Sequence, residues 1–135
     1  MAEQMRLVIF YKMLVFKLDE IKKFDRQALT EITKLTNPPE MILQLCASVA
    51  AILNYKEHTW AEMLKLFNPQ NYRLFSQINV IEVHRESLLP FRNFRAKTSL
   101  GEVLKLNKSC GMLYIWAHMV DDVYQMTNKE EFRLV

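Results

Sequence analysis

The chain has few of the residues that form loops and tight turns. Only 2 glycines and 4 prolines occur among its 135 residues, and the alternation of apolar and polar residues that is typical of strands is scarce. Two glycines cannot form a glycine-rich phosphate-binding loop. The composition therefore predicts an all-α chain of ordinary domain size. The spacing of apolar residues and a proline pair, described below, further predict that a small helical bundle follows a long N-terminal helix of the coiled-coil type.

Cysteine is equally rare, with only Cys46 and Cys110 present. Both residues lie in apolar, helix-like segments, and a small secreted scaffold held by disulfides would contain more cysteines. We therefore expect two buried free thiols rather than a disulfide, which fits a reducing, intracellular compartment.

Catalytic and metal-binding patterns are missing as well. His58, His84 and His118 lie far apart, and none is spaced for zinc binding from another histidine or cysteine. His118 is expected to be a structural or surface residue. Asp121 and Asp122 are adjacent, so their side chains point in different directions on a helix, and we expect a solvated face there rather than a catalytic pair. The sequence argues against an enzyme and indicates no cofactor and no metal.

No stretch has the length of a membrane-spanning helix. Residues 7–16 form an apolar run that Lys12 interrupts, whereas a spanning helix needs about twenty apolar residues. The run also lacks the small-residue cleavage site of a signal peptide. We expect no membrane partner and no targeting segment.

Residues 4–35 are predicted to form one long helix. Apolar residues recur at alternating spacings of four and three over about four heptads, and Asp25 is the only charged member of the series. Such a seam needs a partner helix along residues 7–35, either a return helix or a second copy of the chain, although an ordinary amphipathic core helix has the same pattern. The seam comprises Leu7, Tyr11, Leu14, Leu18, Ile21, Asp25, Ala28, Ile32 and Leu35.

A pair of prolines ends this helical pattern. Pro38 and Pro39 cannot lie inside a regular helix, and the residue before a proline is displaced from helical geometry. The first helix should therefore end near Thr36, and Pro39 and Glu40 should open the next one. This predicts a hinge between a rod and a small helical domain.

Several shorter helices should follow the hinge. Residues 41–53 are apolar on almost every side, which predicts a central core helix that ends at Asn54. Thr59 and Ser99 are expected to cap two short helices. Further helices are predicted at residues 72–78, 82–94 and 109–126, the second of them kinked or divided by Pro90.

Basic residues concentrate in the middle of the chain. Residues 72–108 hold seven Lys or Arg and three acids, whereas residues 109–135 hold two and four. A basic cluster at residues 85–97 would attract an acidic partner, although a solvated helix face has the same composition. Nucleic acid is not the expected partner, because the net charge is only +3 and Phe91 and Phe94 fit a core better than a stacking surface.

The order of these landmarks resembles the stalk head of dynein heavy chains, which is their microtubule-binding domain. The resemblance spans about residues 25–127 and rests on the order and spacing of its segments rather than on one motif. Those segments are residues 28–32 before Asn37-Pro38-Pro39, the apolar helix 42–53, residues 59–64 with Trp60, residues 74–78, and residues 108–117 with Trp116, followed by Tyr124.

This resemblance implies an all-α, non-catalytic head at the tip of an antiparallel coiled coil. Residues 1–36 would be a stalk-like helix, residues 37–127 the head, and residues 128–135 the start of a return helix or a tail. In the family, sliding of the stalk helices relays nucleotide state to the head, and basic residues of the head contact tubulin. The implied location is the cytoplasmic cytoskeleton, with a ciliary axoneme left open. The implied microtubule contacts are Arg85, Arg92, Arg95, Lys97 and Lys129.

A second hypothesis keeps the fold and removes tubulin binding. The helix after Pro39 has no basic residue before Lys56, and the last helix carries Asp121 and Asp122. Both features are unfavourable for contact with acidic tubulin. The chain would then be a dynein-like interaction module that pairs or dimerises through its N-terminal heptad helix.

Overall fold

A computed structural model describes residues 2–56 and 59–128, and all regular elements in these ranges are helical. The all-α prediction is confirmed. Two short 3-10 helices, Pro69–Asn71 and Val80–Glu82, lie between longer elements. The α-helices are α1 (Ala2–Lys22), α2 (Arg26–Thr33), α3 (Glu40–Ile52), α4 (Trp60–Leu66), α5 (Tyr72–Ser76), α6 (Arg85–Lys97), α7 (Leu100–Leu106) and α8 (Lys108–Asn128).

The N-terminal segment forms two helices, and the prediction of one helix over residues 4–35 is wrong. Helix α1 ends at Lys22, and α2 begins after Asp25, whose carboxylate accepts a hydrogen bond of 2.9 Å from the Gln27 backbone N–H. Asp25 has extended backbone angles, as an N-cap requires. The one charged residue in the predicted seam therefore starts a new helix instead of continuing the first.

Helices α1 and α8 lie side by side and antiparallel. Lys17 Nζ lies 2.9 Å from Asp122 Oδ2. The Phe24 ring, just after the end of α1, lies with its centroid 6.2 Å from that of Trp116, six residues earlier in α8 than Asp122. The two helices therefore run in opposite directions. The expected partner of the C-terminal part of α1 is therefore a helix of the same chain. Of the predicted seam residues, Ile21, Ala28 and Ile32 are buried, and Leu14, Leu18 and Leu35 are half-buried against the core. Leu7 and Tyr11, in the N-terminal half of α1, are exposed.

The proline pair lies in the connection between α2 and α3. Helix α2 ends at Thr33, three residues before the predicted end, and Asn37 adopts a left-handed backbone with φ of 48°. Pro39 is the N-cap of α3. The Trp60 indole N–H donates a hydrogen bond of 3.4 Å to the Leu35 carbonyl, which attaches the connection to the start of α4.

Helix α3 is the central core helix that the sequence predicts. It packs against α6, α8 and α4, and Asn54 ends it with a left-handed backbone, φ 59°. Its only buried polar side chain, Ser48, donates a hydrogen bond of 2.7 Å to the Leu45 carbonyl. The residues of α3 that are buried are Ile42, Leu45, Cys46, Ser48, Val49, Ala50 and Ile52.

Aromatic rings join the connection between α1 and α2 to α5 and α8. The Phe75 ring centroid lies 5.3 Å from that of Phe24, 5.9 Å from that of Phe67 and 5.2 Å from that of Trp116. The Trp116 N–H donates a hydrogen bond of 2.8 Å to the Phe75 carbonyl, so this polar group is satisfied inside the core.

The predicted helix ends agree with the structure where a local capping pattern exists. Thr59 and Ser99 both accept a hydrogen bond of 3.2 Å from a backbone N–H three residues later, and Ser99 with Glu102 forms a full capping box. Pro90 lies inside α6, which continues from Arg85 to Lys97 as one helix rather than two.

Candidate functional site

Helix α6 carries the four basic residues of the predicted microtubule-binding set that fall in the described ranges. Arg85 is its first residue and Lys97 its last, and both side chains are exposed. At about 1.5 Å per residue these two ends lie roughly 18 Å apart. The two exposed residues therefore do not form one compact cluster. Lys129, the fifth residue of that set, lies outside the described residues.

Arg92 and Arg95 instead converge on one carboxylate of α8. The Arg92 Nε and Nη2 atoms both lie 2.8 Å from Asp121 Oδ1, and Arg95 Nη1 lies 3.3 Å from Asp121 Oδ2. The Asp121 side chain is fully buried, while those of Arg92 and Arg95 are 26% and 31% exposed. Each carboxylate oxygen thus has its own guanidinium, and we call these three residues the Asp121 cluster.

The Asp121 cluster connects the interior of the bundle to its surface. A buried carboxylate needs charged partners and hydrogen bonds, because its desolvation is otherwise unfavourable by several kcal/mol. Arg92 also lies over the Tyr124 ring, 5.7 Å from its centroid, in a cation–π arrangement. Two cations and one anion leave a net charge of +1, and the partly exposed guanidinium groups present it to solvent.

The prediction of a solvated face at Asp121 and Asp122 is wrong for Asp121. This residue follows the buried Tyr114 by seven positions and the buried Ala117 by four, so it lies on the apolar stripe of α8. That spacing is the sequence signal for its burial. The partners on α6 could not be inferred from it, because they lie 26 and 29 positions away in the sequence.

Asp122 forms a second ion-pair group at the contact between α1 and α8. Its Oδ2 atom lies 2.9 Å from Lys17 Nζ and 3.1 Å from His118 Nδ1. The side chains of Lys17 and Asp122 are 18% and 21% exposed. This pair therefore holds α1 against α8 at the edge of the bundle rather than in its interior.

Two open grooves flank these groups. The first, of about 440 Å³, lies between α1 and α8 and is lined by Arg6, Ile9, Phe10, Met13, Lys17, Asp122, Gln125 and Met126. The second, of about 370 Å³, lies between α3 and α6 and is lined by Gln44, Ala47, Ser48, Ala51, Pro90, Asn93, Phe94 and Lys97. Lys97 is the only charged residue of this second groove.

The two cysteines are free and buried, as the sequence predicts, and the structure also brings their thiols into contact. A hydrogen bond between the Cys46 and Cys110 thiols, together with burial, raises the pKa of Cys46 well above its ordinary value. A thiol held protonated in the core is a poor nucleophile. No group of side chains in residues 2–56 and 59–128 is arranged to bind a metal ion, and none of the helices described there is long and apolar enough to cross a membrane.

Comparison with known proteins supports a relationship to dynein. No model of a known protein family matches the chain. The chain is 25% identical over 107 residues to the cytoplasmic dynein heavy chain of Saccharomyces cerevisiae. The aligned region covers 73% of this chain and 2% of the heavy chain, so the chain spans only a small part of that relative. The chain is thus similar to one region of a dynein heavy chain, which supports the dynein part of the resemblance. That this region is the stalk head stays a prediction.

Proposed function

We propose that this chain is a microtubule-binding head of the dynein type, located on the cytoplasmic cytoskeleton. The observation that carries the proposal is the antiparallel pairing of α1 with α8, joined by Lys17 and Asp122. Two such helices would enter and leave the head on the same side, as a head at the tip of a two-helix stalk requires. The similarity to a dynein heavy chain supports the same assignment.

Helix α6 supplies the tubulin-binding surface in this proposal. Arg85 and Lys97 are exposed and have no ion pair among the described residues, so they can contact acidic tubulin directly. Arg92 and Arg95 contribute the net +1 charge of the Asp121 cluster. Each exposed ionic contact contributes about 1 kcal/mol or less, so the affinity depends on their sum and falls with salt.

The proline connection would couple the stalk to the head. A displacement of α1 along α8 would reach α3 through α2 and the segment that contains Pro38 and Pro39. The Trp60–Leu35 hydrogen bond would pass the same displacement to α4. The head would perform no catalysis and would rearrange as a packed element with discrete states.

Co-sedimentation with polymerised microtubules tests this surface. We expect the wild-type chain to pellet with microtubules, and the double variant R85E/K97E to bind at least about tenfold more weakly, because two attractive contacts become repulsive. The matched control is K34E/K65E, which makes the same change in net charge at two exposed lysines, the C-cap of α2 and a residue of α4. Equal loss in both variants would indicate a non-specific effect of net charge and would contradict a binding surface on α6.

A second candidate is a dynein-like interaction module without tubulin binding. The pairing of Arg92 and Arg95 with Asp121 favours it, because it removes part of the basic charge that an acidic partner would contact. The same experiment separates the two candidates. A wild-type chain that stays in the supernatant at low salt would support the interaction module.

A further inference from the structure

One side of α1 is not covered by any other residue that the structure describes. Val8 precedes Lys17 by nine residues, and Lys12 precedes Ile21 by nine, which is about two and a half helical turns. Because Lys17 and Ile21 face α8 and the core, Val8 and Lys12 lie on the opposite side of α1.

This opposite side, here called the outer face of α1, is largely apolar. Val8, Met5 and Phe16 are 53%, 66% and 57% exposed. A helix that continued the line of α8 would cover the other side of α1, so it would leave the outer face in contact with water. The outer face comprises Met5, Val8, Lys12, Val15, Phe16 and Asp19.

We propose that the outer face of α1 binds the outer face of a second copy of this chain, with the two helices antiparallel. Lys12 and Asp19 carry opposite charges seven residues apart, and neither forms an ion pair in the described part of the chain. A two-fold axis between Val15 and Phe16 places Lys12 of each copy opposite Asp19 of the other. The face is thus complementary to itself, as a symmetric dimer requires.

The antiparallel direction follows from these charges. In a parallel pair, Lys12 would face Lys12 and Asp19 would face Asp19, and both contacts would be repulsive. In the antiparallel pair, Lys12 of each copy faces Asp19 of the other, so both charged contacts are attractive. Val15 of one copy then packs beside Phe16 of the other. The contact of α1 with α8 stays intact in this dimer. The dimer also leaves α6, which carries the proposed tubulin surface, uncovered.

Sedimentation velocity across a range of concentrations tests the dimer. We expect the wild-type chain to pass from monomer to dimer as the concentration rises, and V8E/V15E to remain monomeric, because each copy would bring two carboxylates into the interface. The matched control is L74E/I81E, which places the same charges at two exposed apolar residues elsewhere and should dimerise like the wild type. Far-UV circular dichroism verifies that each variant is folded.

Charge exchange tests the antiparallel arrangement. K12D should weaken the dimer about tenfold, because it places two aspartates opposite each other at both ends of the interface. K12D/D19K should restore the dimer, since it exchanges the two charges and recreates both attractive contacts. A strictly monomeric wild-type chain, a dimer that V8E/V15E leaves unchanged, or no recovery in K12D/D19K would each overturn the proposal. Binding of the outer face to lipid vesicles in place of a second copy would overturn it too.

Discussion

Two adjacent aspartates on α8 have different surroundings and partners. Asp121 is buried and receives two arginines from α6, whereas Asp122 is partly exposed and receives Lys17 from α1. Successive residues on a helix project about 100° apart, so one carboxylate points into the bundle and its neighbour points to the edge. The ion pairs of Asp121 therefore hold the interior of the bundle together, whereas the ion pair of Asp122 positions α1 at its edge.

Removing both cations of the Asp121 cluster should have the largest effect. We expect R92M/R95M to lower the free energy of unfolding by about 3–5 kcal/mol, because it leaves a buried carboxylate without a charged partner. Urea denaturation followed by circular dichroism measures this change. Adding D121L should recover most of the loss, since the site then contains no unpaired charge. Failure of the triple variant to recover would indicate that packing, rather than charge, dominates the site.

Arg92 and Arg95 should contribute unequally to the free energy of unfolding when they are replaced one at a time. R92M is expected to lower the free energy of unfolding by about 2 kcal/mol and R95M by about 1 kcal/mol. The difference arises because Arg92 makes two contacts of 2.8 Å and lies over Tyr124, whereas Arg95 makes one contact of 3.3 Å. The same urea titration compares the two variants. An equal loss of stability in R92M and R95M would contradict the larger contribution of Arg92.

Removing the Lys17–Asp122 ion pair at the edge of the bundle should have the smallest effect on stability. D122N and K17M are each expected to lower the free energy of unfolding by less than about 1 kcal/mol, because the ions are partly hydrated. The double variant K17M/D122N should lose about as much stability as either single variant. The interaction energy between the two residues, obtained from this double-mutant cycle, should decrease at high salt. If the Lys17–Asp122 interaction energy were as large and as insensitive to salt as that of the Asp121 cluster, the two ion-pair groups would not differ as proposed.

Local patterns made most of the fold predictable from the sequence. The caps at Thr59 and Ser99, the helix end at Asn54 and the central position of α3 each depend on residues within one or two turns of one another. Capping and amphipathic periodicity are short-range effects, so they can be read from neighbouring residues.

The features that were missed require competing or distant interactions. Asp25 satisfies the heptad spacing, but its carboxylate gains more by capping α2 than by remaining inside a longer helix. The position of Asp121 on the apolar stripe could have indicated burial. Its bonds to Arg92 and Arg95 depend on the packing of α6 against α8, which no local pattern specifies.

Saturation co-sedimentation of the wild-type chain with microtubules, at low and at near-physiological salt, tests the proposed function most directly. A microtubule-binding head with a basic α6 surface predicts saturable binding that weakens as salt rises. A folded chain that stays in the supernatant even at low salt would contradict it.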